Sequence, residues 1–385
     1  MSGVDPRRLA DRLRRLVAID SVNPSLSGDA RGEDAIARVI ASECRAAGMD
    51  ARLDDVVSGR PNVVVHIRGA RPGRLLLLNG HMDTVSVTGM SEPFGGRVDG
   101  DRLYGRGAYD MKGSLAAMIE AGMVVARRGL PAGELVLAFV IDEEFESLGT
   151  ADLLRRERAD AAIVTEPTGL ELCLAHRGFV WARIETAGRA AHGSRYADGD
   201  DAIARMGHVL AALERLERDV LSQRTHPLLG RSSIHASTIS GGLGLSTYPD
   251  RCALEVERRT LPGETDREIA AEMRRLVDEA TRTSPGLVGR VDILLSRPPF
   301  EIAPEASIVR SLMESITAVR GGPPRYVGEL PWFDAALLGA AGVPTAMFGP
   351  AGAGAHAAEE WVSLQSVATC AEVLADVAVR FCGAA

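Results

Sequence analysis

Apolar positions recur at helical spacing over residues 6–19 and 33–47, and Gly48 supplies a C-cap to the second stretch. Short unbroken apolar runs follow at 62–67 and 75–78, as in strands buried on both faces. Helical spacing returns over 115–128 and stops at Gly129, and further apolar runs lie at 135–141 and 161–164. Strands alternating with helices predict an α/β fold, a mixed or mostly parallel sheet flanked by helices.

The rhythm changes after Arg177. Residues 179–186 alternate like a half-buried strand, 201–216 read as a helix, 232–240 and 251–259 as strands, 265–283 as a helix and 290–295 as a strand. That order, βαββαβ, is ferredoxin-like. Beyond Arg297-Pro298-Pro299 the first style resumes, with a helix at 306–319, a strand at 344–348 and a closing helix at 366–381. The expected organisation is a discontinuous domain of 1–177 and 297–385, with 178–296 inserted as a second domain.

Composition narrows the class without changing this picture. The 385 residues are 46% hydrophobic and 25% charged, as in ordinary globular chains. A net charge of -8 argues against a nucleic-acid partner. No apolar run approaches the roughly 20 residues of a membrane span. The first residues read as a basic amphipathic helix and not as a secretory signal. Cys44, Cys173, Cys252, Cys370 and Cys382 are odd in number, widely spaced and without a CxxC, which fits reduced thiols and a cytoplasmic location.

The chemistry gathers where apolar runs end. The 135–141 run leaves through Asp142, Glu143 and Glu144, three carboxylates that would repel each other unless a cation relieved them. Open α/β sheets place ligands at such strand ends. His81 and Asp83 follow another run, and in an extended segment they share a side, so Asp83 could fix the His81 tautomer. Asp110 stands between a glycine-rich turn and a helix, able either to cap that helix or to bridge two cations. Glu166 follows the 161–164 run, and His356 rides on a glycine- and alanine-rich loop. A pair of acids suits a division of labour, one coordinating and one moving protons.

The motifs HMD, GRGAYDMKG, IDEEFESLGT, TEPT and GPAGAGAH with a trailing acid resemble, in order and spacing, the M20 family of metallopeptidases and amidohydrolases. That family includes acetylornithine deacetylase, succinyl-diaminopimelate desuccinylase, aminoacylases and glutamate carboxypeptidases. The resemblance implies a hydrolase with two divalent metal ions, zinc first and cobalt or manganese admissible, with the inserted domain acting as a lid and homodimer contact. It implies His81 and Glu166 on one metal, Glu144 and His356 on the other, and Asp110 between them. Glu143 becomes the general base and Asp83 the orienter of His81. His192, in GRAAHGSRYADGDDAI, becomes a donor to the substrate, often in the partner subunit's site. Arg259, in ERRTLPGE, matches an arginine that could grip a substrate carboxylate, whereas Arg258 alternates to the other face. The chain departs from the family at Tyr196, where proline is common, and at Ser246, where asparagine is frequent. The implied reaction is cleavage of the amide bond of a small N-acyl amino acid or related acylated amine. Carboxypeptidase or dipeptidase action, a ureido or carbamoyl amidohydrolase, and a non-catalytic metal-containing binding protein are the competing readings.

Overall fold

The computed structural model describes residues 3–28 and 30–383. They form two compact units, one of residues 3–28, 30–174, 302–327 and 333–383, the other of 175–301 and 328–332.

The first unit is built on a mixed sheet. Leu75–His81 lies between Glu134–Val140 and Ala161–Val164, parallel to both, and Thr345–Met347 runs parallel beyond Ala161–Val164. These strands are almost wholly buried along their length, because helices cover both faces. Their shared direction delivers four chain exits to one edge of the sheet, just where His81, Glu143, Glu144, Glu166 and the loop to His356 stand. Arg60–Arg68 pairs antiparallel with Glu134–Val140, and Asp50–Val57 pairs antiparallel with Arg60–Arg68. Leu172–His176 joins antiparallel to Thr345–Met347 through Cys173.

Helix Gly113–Arg128 is buried on all sides from Gly113 to Val125, so its apolar character is not confined to one stripe. It packs against Leu364–Gly383, which in turn packs against Ser307–Arg320. The N-terminal helix, Pro6–Val17, starts with proline at its first turn, and Asp5 accepts hydrogen bonds from the Arg7 and Arg8 amides. Its basic character is only partly a solvent face. Arg12 is fully buried and donates to Glu43 at 2.7 Å and to Glu120 at 2.7 Å.

In the second unit Gly178–Ala187, Ala202–Arg215, Ser233–Gly241, Arg251–Thr260, Asp266–Thr283 and Val288–Arg297 follow the βαββαβ order. The four strands make an antiparallel sheet in which the first and third are central. Ile184, Leu254 and Val256 of the sheet meet Met206, Val209, Met273 and Leu276 of the two helices. Thr265 and Glu268 close a capping box on the second helix.

Several boundaries differ from the sequence reading. Leu75–His81 extends three residues past the apolar run, so His81 ends the strand and does not follow it. The Asp50–Val57 strand is absent from the sequence reading because it is an edge strand whose exposed positions include Asp50 and Asp55. A small sheet of Val98–Asp99, Arg102–Tyr104, Trp361–Ser363 and Gly352–Ala353 also escaped notice, its strands being only two or three residues long.

Candidate metal centre

Two clusters of ligand-type side chains lie at the sheet edge, and Asp110 belongs to both. In the first, His81, Asp110 and Glu166 bring ligand atoms within 4.8 Å of one another; in the second, Asp110, Glu144 and His356 do the same. His81 Nε2 is 3.1 Å from Asp110 Oδ1 and 3.5 Å from Glu166 Oε1. His356 Nε2 is 3.3 Å from Asp110 Oδ2 and 3.2 Å from Glu144 Oε2. One carboxylate thus turns a separate oxygen to each imidazole.

Local structure explains each position. Gly107, in the left-handed region, precedes the turn that presents Asp110, and the helix after it begins at Gly113. Asp110 does not cap that helix, whose N-cap Lys112 makes no side-chain capping bond. Asp142 turns the chain sharply with φ 66° as it leaves the strand, a conformation aspartate tolerates better than most residues. Glu166 is pressed from behind by Gly349, where a Cβ would sit 2.3 Å from the Glu166 carbonyl oxygen. His356 occupies the tip between Gly352–Ala353 and Trp361–Ser363, itself at φ 62°.

Asp83 has a different set of contacts from the one its spacing suggests. His81 Nδ1 donates to the Asp83 main-chain carbonyl at 2.9 Å, and the nearer carboxylate oxygen is 3.5 Å away. The carbonyl fixes the tautomer and leaves Nε2 facing the cluster. The Asp83 carboxylate accepts from the amides of Glu143 and Glu144, each at 3.1 Å, and from Asn23 at 2.8 Å. Asn23 also donates to Asp142, which pairs with Arg60 at 2.9 Å. Arg60 is shared with the buried Glu33.

The electrostatics are those of a cation site. Burial pushes Glu143 and Glu166 well above the usual carboxylate range, and neighbouring carboxylates add to this against the opposing His81 charge. Glu144 is raised by burial and by Asp110. Hydrogen bonds donated by its ring to Asp110 and Glu144 lift His356 to about 10. Burial lifts Asp334, a further acid near Glu143 and Glu166, to about 6. Glu144 Oε1 and Glu166 Oε2, one in each cluster, are buried without a hydrogen-bond partner. Imidazole and carboxylate donors with spare buried oxygens fit two divalent cations of the zinc, cobalt or manganese type. His81, Asp110 and Glu166 would hold one, and Asp110, Glu144 and His356 the other. Glu143 belongs to neither cluster, and its Oε1 likewise has no partner.

The two residues expected from the inserted domain lie in the second unit. His192 is exposed, and its Nδ1 lies 2.8 Å from Ser194 Oγ and 3.3 Å from the Ser194 amide nitrogen. Arg259 donates to Glu257 at 2.7 Å and lies over the Phe179 ring. Arg258 is fully buried and pairs with Glu272 at 2.9 Å and with Glu264. Tyr196 and Ser246 are exposed. Asn23, Arg60, Glu33, Asp334 and Arg106 support the site but were not singled out from sequence. Asp142 stood out there only as one of three successive carboxylates, and Glu360 only as the acid trailing His356.

Among curated proteins the chain is 29% identical over 351 residues to the acetylornithine deacetylase of Myxococcus xanthus, covering 88% of this chain and 90% of that one. It is 27% identical to the N-formyl-4-amino-5-aminomethyl-2-methylpyrimidine deformylase of Bacillus subtilis, covering 92% and 90%. Among solved structures it matches aminopeptidase PepT of Bacillus cereus with a TM-score of 0.82 at 19% identity, covering 98% and 99%. It matches the YXEP protein of Bacillus subtilis, a dinuclear metal-binding M20 peptidase, with a TM-score of 0.77 at 16% identity, covering 98% of each chain. The family model described as peptidase family M20/M25/M40 matches residues 77–380, and the chain belongs to that family of metal-dependent hydrolases.

Proposed function

We propose that this protein is a deacylase: it hydrolyses the amide bond of a small N-acyl amino acid or related acylated amine that carries a carboxylate. The observation that carries the reading is the shared Asp110, with one oxygen at 3.1 Å from His81 and the other at 3.3 Å from His356. Bound divalent cations, zinc first, supply a lowered pKa for water and polarise the scissile carbonyl. Glu143, half-buried with its Oε1 enclosed and outside both ligand sets, takes the proton from the attacking water. Having taken that proton, Glu143 passes it to the leaving amine. The Asp83 carboxylate keeps the Glu143 and Glu144 amides in register behind these side chains. His192 is the proposed donor to the developing oxyanion. Arg259 would share its guanidinium between Glu257 and the substrate carboxylate. The proposed assembly is a homodimer through the inserted domain.

Deacylation is preferred to peptidase action because relatives 24–29% identical across most of the chain are acetylornithine deacetylases. The peptidase neighbours named among solved structures are at most 20% identical and speak to the fold. Purified protein loaded with zinc or cobalt and offered N-formyl, N-acetyl and N-succinyl amino acids beside dipeptides tests this. Turnover of the acylated amino acids ahead of the dipeptides is expected. Turnover of dipeptides alone would make it a peptidase, and no turnover of any substrate with both metals loaded would make it a binding protein.

A further inference from the structure

Glu360 is 1% exposed, and its carboxylate is saturated with donors from a segment about 250 residues away in the chain. Oε1 accepts from the amides of Tyr109 at 2.9 Å and Asp110 at 3.0 Å. Oε2 accepts from the Gly107 amide at 3.0 Å and from Arg106 Nη1 at 2.7 Å. Arg106, 2% exposed, spends its other donors on the carbonyls of Ser86 and Ala357, each at 3.1 Å. Ala357 adjoins His356. The pair therefore grips the turn that presents Asp110 on one side and the tip that presents His356 on the other.

Two buried charges in such a place are costly to desolvate and add little net stability on their own. What this pair does supply is geometry. It fixes the main chain at Asp110, and it ties the His356 tip, whose imidazole is half exposed, to the same turn. We infer that Glu360 and Arg106 are positioning residues that set the separation of Asp110 and His356, and so the spacing of the two cation sites. The inference rests on the two-cation reading above. It assigns neither residue a contact with substrate or metal.

The test is a titration of metal-stripped full-length protein with Co2+, followed by calorimetry and by the visible absorption of the bound ion. Wild-type protein taking up fewer than two ions would sink the two-cation reading itself, whatever the variants do. Given two ions in the wild type, Glu360→Gln is expected to weaken both by about 10- to 100-fold and to change the cobalt spectrum, because Asp110 serves both. Arg106→Gln keeps the three main-chain contacts of Glu360 but releases Ala357. It should weaken the ion held with His356 more than the one held with His81 and Glu166, and it also serves if Glu360→Gln does not fold. Wild-type affinities and spectra in the folded variants, even with a lowered melting temperature, would reduce the pair to a structural tie and overturn the inference.

Discussion

Glu143 and Glu144 are neighbours along the chain with separate tasks. Glu144 Oε2 faces His356 at 3.2 Å and so belongs to a ligand set, while Glu143 belongs to none. Burial raises both. The first should therefore be dispensable for holding metal and indispensable for moving protons. Glu143→Ala is expected to retain both cations by elemental analysis and to lose about 100- to 10,000-fold in kcat. A variant that loses metal together with activity would place Glu143 among the ligands. The adjacency of the two acids was legible in sequence, as were His81, Asp110, Glu166 and His356, because each follows an apolar run or a glycine-rich turn. The contacts of Asp83 were not. Period-two spacing puts His81 and Asp83 on one side, but it cannot tell a carboxylate from a main-chain carbonyl as the partner of Nδ1. Nor could spacing find Asn23, whose two donated bonds depend on strands brought together from elsewhere.

At the scale of elements, the long apolar runs and helical stripes were readable, and the short or polar ones were not. Asp50–Val57 hides because an edge strand has one solvated side, and the hairpin that carries His356 has strands too short to leave a pattern. The N-terminal helix carries a further element-scale surprise, since Arg12 on its inner face joins Arg8 on the buried Glu120 of Gly113–Arg128. Burial works to raise Glu120, but the hydrogen bonds from Arg8 and Arg12 outweigh it and hold the carboxyl below its ordinary value. A folded-state pKa below the unfolded one gives stability that is complete above the unfolded value, about 4.3. That stability is lost as pH falls through the folded value. Glu120→Gln should cost about 3 kcal/mol at neutral pH, because it leaves buried Arg12 with one carboxylate fewer. The gap between variant and wild type should close as the solution is acidified below about pH 4. Urea unfolding at neutral and acid pH checks this, and an equal gap at both would show that Glu120 contributes by packing alone.

For the molecule as a whole, the site at the strand ends is a preformed cluster of carboxylates and imidazoles whose crowded acids bound cations would relieve. Chelation should then destabilise the first unit, by about 2.7 kcal/mol for a cation previously at a hundred times its dissociation constant. The two cations should not leave together. The His81 side chain is 1% exposed and the His356 side chain 54%, so the ion at His356 is the accessible one. Stepwise chelation followed by melting temperature should show an early phase that His356→Ala abolishes, and a single phase in both proteins would contradict that order. The shared carboxylate remains the feature from which all of this descends. Calorimetric titration of metal-stripped protein with Zn2+ addresses it most directly, with wild type compared against Asp110→Ala. The expected result is two ions per chain in the wild type and loss of tight binding at both positions in the variant. Two ions bound by Asp110→Ala with undiminished affinity would contradict the account.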